Sequence, residues 1–125
     1  MVIKTRKTKS EILTDIIIHG IQEKKGGNIV SLNLTKIPNA VCNFFIICHG
    51  TSKIQVESIA DSVIYEVKKA TGANPWHKEG FENAEWILID YADVVIHIFQ
   101  ENTRVFYRLE NLWADAEIQK FKNDE

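Results

Sequence analysis

The stretch from Glu85 to Phe99, EWILIDYADVVIHIF, alternates side chains with the period of two that is typical of β-strands. We interpret it as two strands joined by a turn at Tyr91 and Ala92, with Asp90 paired to Asp93. In this register one face of the hairpin is wholly aliphatic and is predicted to be core. That face carries Ile87, Ile89, Val94, Ile96 and Ile98.

The other face of the hairpin, called the mixed face below, combines aromatic, imidazole and carboxylate side chains. It carries Trp86, Leu88, Asp90, Asp93, Val95, His97 and Phe99. Such a mixture is typical of a surface that meets a partner. A loop or the last helix covering Trp86 and Phe99 would instead make them ordinary core. The pattern alone leaves both interpretations open.

Helical periodicity precedes the hairpin in two places. Thr8 and Glu11 have the spacing of a capping box, and the apolar repeat that follows ends at Gly26. Ser52 and Gln55 have the same spacing and open a second predicted helix. The buried stripe of this helix is predicted to be Val56, Ile59, Ala60, Val63 and Val67.

Strand patterns surround these helices. Asn28 to Leu34 reads as one strand, and Val41 to Cys48 is apolar on both faces, as expected of a central strand. Ala73 to Asn83 reads as a loop with a short edge strand, and Asn102 or Thr103 is expected to cap a last helix. The order of elements predicts an α/β fold in which a mixed β-sheet is packed with helices.

The length of 125 residues suits one domain. We expect a flexible basic N-terminus at 1–9, the domain at 10–118 and a polar C-terminal tail at 119–125. A net charge of -2 argues against direct nucleic-acid binding. No signal-peptide or membrane-span pattern occurs, and Cys42 and Cys48 lie too far apart in one strand to bridge. A cytoplasmic protein with reduced thiols is therefore expected.

Motifs for metal and cofactor chemistry are missing from the sequence. The histidines have no short metal-ligand spacing, neither cysteine lies in a CxxC, and no GxSxG, Walker A or GxGxxG occurs. We therefore predict no metal and no cofactor. The histidines are His19, His49, His77 and His97.

One catalytic alternative stays open at this point. Gly50-Thr51-Ser52 lies between a strand and a helix, which resembles the phosphate-binding turn of nucleotidyltransferases. Those enzymes hold two Mg²⁺ ions with paired carboxylates, and Asp90 and Asp93 are the nearest match, at an unsuitable spacing. The plainer interpretation is that Ser52 is an N-cap and that both aspartates are turn residues.

Four blocks of the chain between Gly50 and Trp113 resemble the ribosomal silencing factor (RsfS, or Iojap) family, and the resemblance as a whole runs from about Glu11 to Glu117. The hairpin block WxLxDYxDVVxHxF is highly specific, whereas GTS alone is weak. The blocks are GTSxxQVxxIAD from Gly50, EG at Glu79, the hairpin block from Trp86, and RxxYxLExLW from Arg104. Ala92 replaces a common glycine of the family in the hairpin turn, where a positive φ is less comfortable for alanine.

The resemblance implies a cytoplasmic, non-enzymatic translation regulator. Members bind the large ribosomal subunit through its ribosomal protein fourteen, sterically prevent the small subunit from joining, and lower translation when nutrients are scarce. It also implies a nucleotidyltransferase-like topology without the metal carboxylates, and a homodimer off the ribosome.

Combining the resemblance with the mixed face, we expect partner contacts from that face and the adjoining helix. A homodimeric scaffold that pairs through the mixed face is a further hypothesis. The expected contact residues are Trp86, Leu88, Asp90, His97, Phe99 and Tyr107.

Overall fold

A computed structural model describes residues 7–107 and 116–121, with side chains of the last helix described as far as Arg104. A six-stranded sheet in the order β3-β4-β5-β2-β1-β6 is packed with helices. β2 and β5 are parallel and the other pairs antiparallel, which confirms the predicted α/β fold with a mixed sheet. The elements are α1 (Lys9–Glu23), β1 (Gly27–Asn33), β2 (Phe44–Gly50), α2 (Lys53–Thr71), β3 (His77–Glu79), β4 (Trp86–Asp90), β5 (Val94–Gln100), α3 (Glu101–Tyr107) and β6 (Glu117–Phe121).

The two long helices begin where the sequence predicts. Thr8 Oγ1 accepts from the Glu11 amide at 3.1 Å, and the Glu11 carboxylate accepts from the Thr8 amide at 2.9 Å, so the first capping box is complete. Ser52 caps α2, and Gly72 ends it in the left-handed conformation at φ 79°. The buried residues of α2 are the predicted ones: Val56, Ile59, Ala60, Val63 and Val67.

The predicted hairpin register is wrong by two residues. Asp90 lies opposite Val95 rather than Asp93, and Trp86 lies opposite Phe99. The connection is longer than two residues: the Tyr91 amide donates to the Val94 carbonyl at 2.9 Å, and Ala92 adopts φ 72°. Because a shift of two keeps every strand side chain on its own face, the two predicted faces survive, except that Asp93 lies in the connection before β5.

Regular secondary structure extends at both ends beyond the segment expected to form the domain, 10–118. Helix α1 begins at Lys9 with Thr8 as its cap, inside the segment expected to be a flexible N-terminus. Residues 119–121, expected in the polar tail, belong to β6, where Phe121 pairs with Ile29 of β1. Residues 1–6, 108–115 and 122–125 lie outside the described part.

Smaller corrections concern the loops. Helix α3 begins at Glu101, directly after β5, so Asn102 and Thr103 lie inside it rather than capping it. Strand β2 begins at Phe44, which leaves Cys42 in the preceding loop; both cysteines are free and buried, as predicted. In the chain described, no helix is long and apolar enough to cross a membrane.

Candidate partner-binding surface

The two faces of the β4–β5 hairpin have different surroundings. On the aliphatic face all five predicted core residues are fully buried in one cluster with α1 and α2. The helices therefore cover this side of the sheet, and contact with a partner has to come from another surface. The five are Ile87, Ile89, Val94, Ile96 and Ile98.

The mixed face points away from the two long helices, and three strands contribute to it. From β4 it carries Trp86, Leu88 and Asp90, and from β5 it carries Val95, His97 and Phe99. The edge strand β3 extends it, since His77 lies opposite Asp90 and Glu79 lies opposite Leu88. The structure thus brings five of the six expected contact residues to one face. The side chain of Tyr107 lies outside the described part.

Only part of the mixed face is accessible. Phe99 is fully buried and His97 is 6% exposed, so neither offers contact area, contrary to the expectation for both. They are covered because a second apolar cluster forms on this face around β1, β2 and the loop after β1. That cluster consists of Val30, Leu32, Leu34, Cys42, Phe45, Ile47, Val95 and Phe99, with Ile37, Ala40, Trp86, Leu88 and Ala116 packed against it.

The accessible part of the mixed face lies on β3 and β4, the two strands at one end of the sheet. Trp86, Leu88 and Asp90 are partly buried, and the side chains of His77 and Glu79 are 50% and 63% exposed. We call these five residues the β3–β4 patch. Its apolar part comes from Trp86 and Leu88, and its rim carries two carboxylates. One of them, Glu79, lies 3.3 Å from His77 Nε2.

Buried aromatic rings of the same sheet face pack against Trp86. Its indole stacks on Phe99 with ring centroids 5.1 Å apart, and its Nε1–H donates to His97 Nδ1 at 3.0 Å. Phe45 meets His97 edge to face at 5.1 Å. Burial lowers the pKa of His97 to about 4, so the imidazole is neutral at physiological pH. The sequence predicts that Trp86, His97 and Phe99 share one face, but it does not predict the hydrogen bond between Trp86 and His97.

The catalytic alternative is contradicted by the geometry. Ser52 follows β2 at its carboxyl end, whereas the carbonyl of Asp93 accepts from the amides of Asn43 (2.8 Å) and Phe44 (3.2 Å), where β2 begins. The seven residues of β2 separate the two ends by about 20 Å. Ser52 and the aspartates therefore cannot contact the same phosphates, and the proposed enzyme centre is not assembled.

The helix end at Ser52 is also occupied by internal hydrogen bonds. Ser52 Oγ accepts from the Gln55 amide at 3.1 Å, and Gln55 Oε1 accepts from the Thr51 amide at 2.7 Å. Asp90 Oδ1 accepts from the Ala92 amide at 2.6 Å, the turn role that was the plainer interpretation. Within residues 7–107 and 116–121, no three His, Cys, Asp or Glu side chains are arranged to hold a metal ion.

Comparison with known proteins gives a consistent result. A family model described as "Ribosomal silencing factor during starvation" matches residues 7–125. A ribosomal silencing factor RsfS of Halalkalibacterium halodurans is 39% identical, over 83% of this chain and 87% of that protein. The protein of the same name from Haemophilus influenzae is 36% identical, over 82% and 98%. A crystal structure of a Chromobacterium violaceum protein superimposes with a TM-score of 0.80 at 31% identity, covering 86% of this chain and 88% of that one.

Proposed function

The chain belongs to the family of ribosomal silencing factors, and from this premise we propose that it represses translation by binding the large ribosomal subunit through ribosomal protein fourteen. The bound domain then blocks joining of the small subunit when nutrients are limiting. One observation supports the position of the docking site: Trp86 is a partly buried tryptophan on the sheet face that the two long helices leave open.

The contact is made by the β3–β4 patch. Tryptophan supplies a large contact area and is enriched among the residues that dominate binding energy, and Leu88 lies beside Trp86 on the same strand face. Polar residues around an apolar centre are the common arrangement of a protein interface. His77, Glu79 and Asp90 provide that rim.

The charge of the patch favours a protein over RNA as the contacted component. Asp90 and Glu79 are the carboxylates of the patch, and His77 is its one basic side chain. Phosphate groups would be repelled by the carboxylates, whereas lysine and arginine side chains would pair with them. A basic region of a ribosomal protein fits the patch.

The block to subunit joining is steric. Helices α1 and α2 lie on the opposite side of the sheet from the patch, so a domain docked through the patch projects both helices away from its partner. No reaction is required of it. The proposal includes a cytoplasmic location and a homodimer that uses the same patch off the ribosome, so that a second copy and the ribosome compete.

Sedimentation of the full chain with separated ribosomal subunits tests the proposal. We expect co-migration with the large subunit and fewer joined ribosomes once small subunits are added. Trp86→Ala should weaken binding by about 2 kcal/mol, roughly thirtyfold, with an unchanged circular dichroism spectrum. Tyr65→Ala is the matched control, because Tyr65 is an aromatic residue, 63% exposed, on α2 at the other side of the sheet.

Two results would contradict the proposal. Wild-type protein that stays at the top of the gradient with large subunits present would refute the ribosomal function. A folded Trp86→Ala protein that binds like wild type would refute the patch. For the dimer, light scattering should show dissociation when purified ribosomal protein fourteen is added.

A further inference from the structure

Trp86 is held by a histidine that does not itself reach the surface. The indole Nε1–H donates to His97 Nδ1 at 3.0 Å, and the indole stacks on Phe99 at 5.1 Å between centroids. His97 is 6% exposed, whereas Trp86 is partly exposed. The accessible residue is therefore oriented by two residues from the buried part of the same face.

The hydrogen bond fixes the state of the imidazole. Because Nδ1 accepts from the indole, the ring proton of neutral His97 is on Nε2. Burial lowers the pKa of His97 to about 4, so Nδ1 is available as an acceptor throughout the physiological pH range. The indole N–H is satisfied inside the protein and is not offered to a partner.

We propose that His97 is a positioning residue, which orders the indole of Trp86 in advance so that Trp86 presents apolar ring surface to the ribosomal partner. This inference rests on the proposed function and deepens it. A side chain that is already ordered loses less conformational entropy on binding than a free one. The place of Trp86 in the sheet makes such ordering more important, because Trp86 is the first residue of β4 and the edge strand β3 pairs only with Leu88–Asp90.

Two substitutions of His97 separate the effect of the hydrogen bond from the effect of the ring volume, and one substitution of Trp86 complements them. His97→Phe keeps an aromatic ring and removes the acceptor. His97→Asn keeps an acceptor, since the Asn Oδ1 occupies nearly the position of His Nδ1. Trp86→Phe removes the donor from the other side and keeps a ring that can stack on Phe99.

The first measurement does not involve the ribosome. Hydrogen exchange of the indole N–H groups is followed by NMR on the full chain labelled at tryptophan, and the Trp86 resonance is identified by its loss in Trp86→Phe. We expect slow exchange in the wild type, roughly tenfold faster exchange in His97→Phe, and recovery in His97→Asn. Fast exchange of the wild-type Trp86 indole, or no change in His97→Phe, would overturn the inference.

The second measurement is affinity for large subunits in a double-mutant cycle. His97→Phe should weaken binding about three- to tenfold in the wild-type background and have little effect in the Trp86→Phe background. An equal loss in both backgrounds would show a general structural role and overturn the positioning role. His97→Phe that binds like wild type overturns it too, with the ribosomal function intact. Wild-type protein without affinity for large subunits overturns the ribosomal function itself.

Discussion

Arg104 of α3 and Asn28 of β1 are joined by a partly buried hydrogen bond, in which Arg104 Nη1 donates to the Asn28 carbonyl at 2.6 Å across 76 positions of sequence. The same nitrogen lies 3.3 Å from His49 Nδ1. Arg104 is only 4% exposed. Asn28 has φ 50°, and the β1–β2 ladder shifts register between Gly27 and Val30. A guanidinium from α3 thus supports an irregular segment of β1.

Replacing Arg104 by methionine should destabilise the protein. Methionine keeps much of the apolar stem but has no donor for the Asn28 carbonyl, and lost hydrogen bonds to charged groups cost about 2 kcal/mol. Arg104→Lys keeps the charge and a donor, so a smaller loss is expected. Urea unfolding with an unchanged m-value measures both. A loss below about 0.5 kcal/mol in Arg104→Met would show that the bond contributes little.

Gly80 and Gly72 provide a matched pair of glycines with positive φ. A Cβ on Gly72 (φ 79°) would meet nothing within 4 Å, whereas a Cβ on Gly80 (φ 87°) would lie 2.1 Å from the carbonyl oxygen of Trp86. Gly72→Ala should therefore cost only the backbone strain, about 1 kcal/mol. Gly80→Ala should cost about 3 kcal/mol, because the backbone at Trp86 must also move.

Thermal unfolding compares these two alanine variants. Gly80→Ala should in addition shift the NMR resonances of the β3–β4 patch, and Gly72→Ala should leave them in place. Equal stabilities of the two variants would mean that the chain next to Trp86 adjusts freely, contrary to the close approach of Gly80.

The faces of the hairpin could be predicted from the sequence, but its register could not. Alternation fixes which side chains share a face, and that was correct for Trp86, Leu88 and His97. A shift by two residues leaves the alternation unchanged, so the pattern contains no information about it. The turn decides the register. The glycine common in the family at position 92 indicated the positive φ that Ala92 adopts, but it did not indicate the length of the connection.

The extent of the exposed surface could not be predicted either, because it depends on contacts between distant parts of the chain. The loop after β1 places Leu34 and Cys42 in the cluster that covers Phe99. Ile37 and Ala40, two apolar residues between the predicted strands that also pack against this cluster, were the available indication. Strand β6 was missed since its residues are mostly exposed and polar, and pairing with β1 makes it a strand. The separation of Ser52 from Asp93 likewise followed only from the topology.

His97 should make stability depend on pH in a defined window. Its pKa falls from 6.5 to about 4 on burial in the folded protein. The unfolded chain therefore binds a proton more readily than the folded one between these values. The contribution of neutral His97 to the free energy of unfolding is fully present above pH 6.5. It is lost as the pH falls toward 4 and changes no further below that. Each pH unit of the window changes the free energy of unfolding by about 1.4 kcal/mol, so the total change is roughly 3 kcal/mol.

His97→Asn is the comparison that isolates this effect, since asparagine keeps an acceptor for the Trp86 indole and does not titrate. Urea unfolding of both proteins at intervals from pH 7.5 to pH 4 gives two stability curves, and titrations common to both cancel in their difference. The wild type should lose roughly 3 kcal/mol relative to the variant over this range. Parallel curves would mean that His97 accepts a proton in the folded state as easily as in the unfolded chain, which its burial at 6% exposure contradicts.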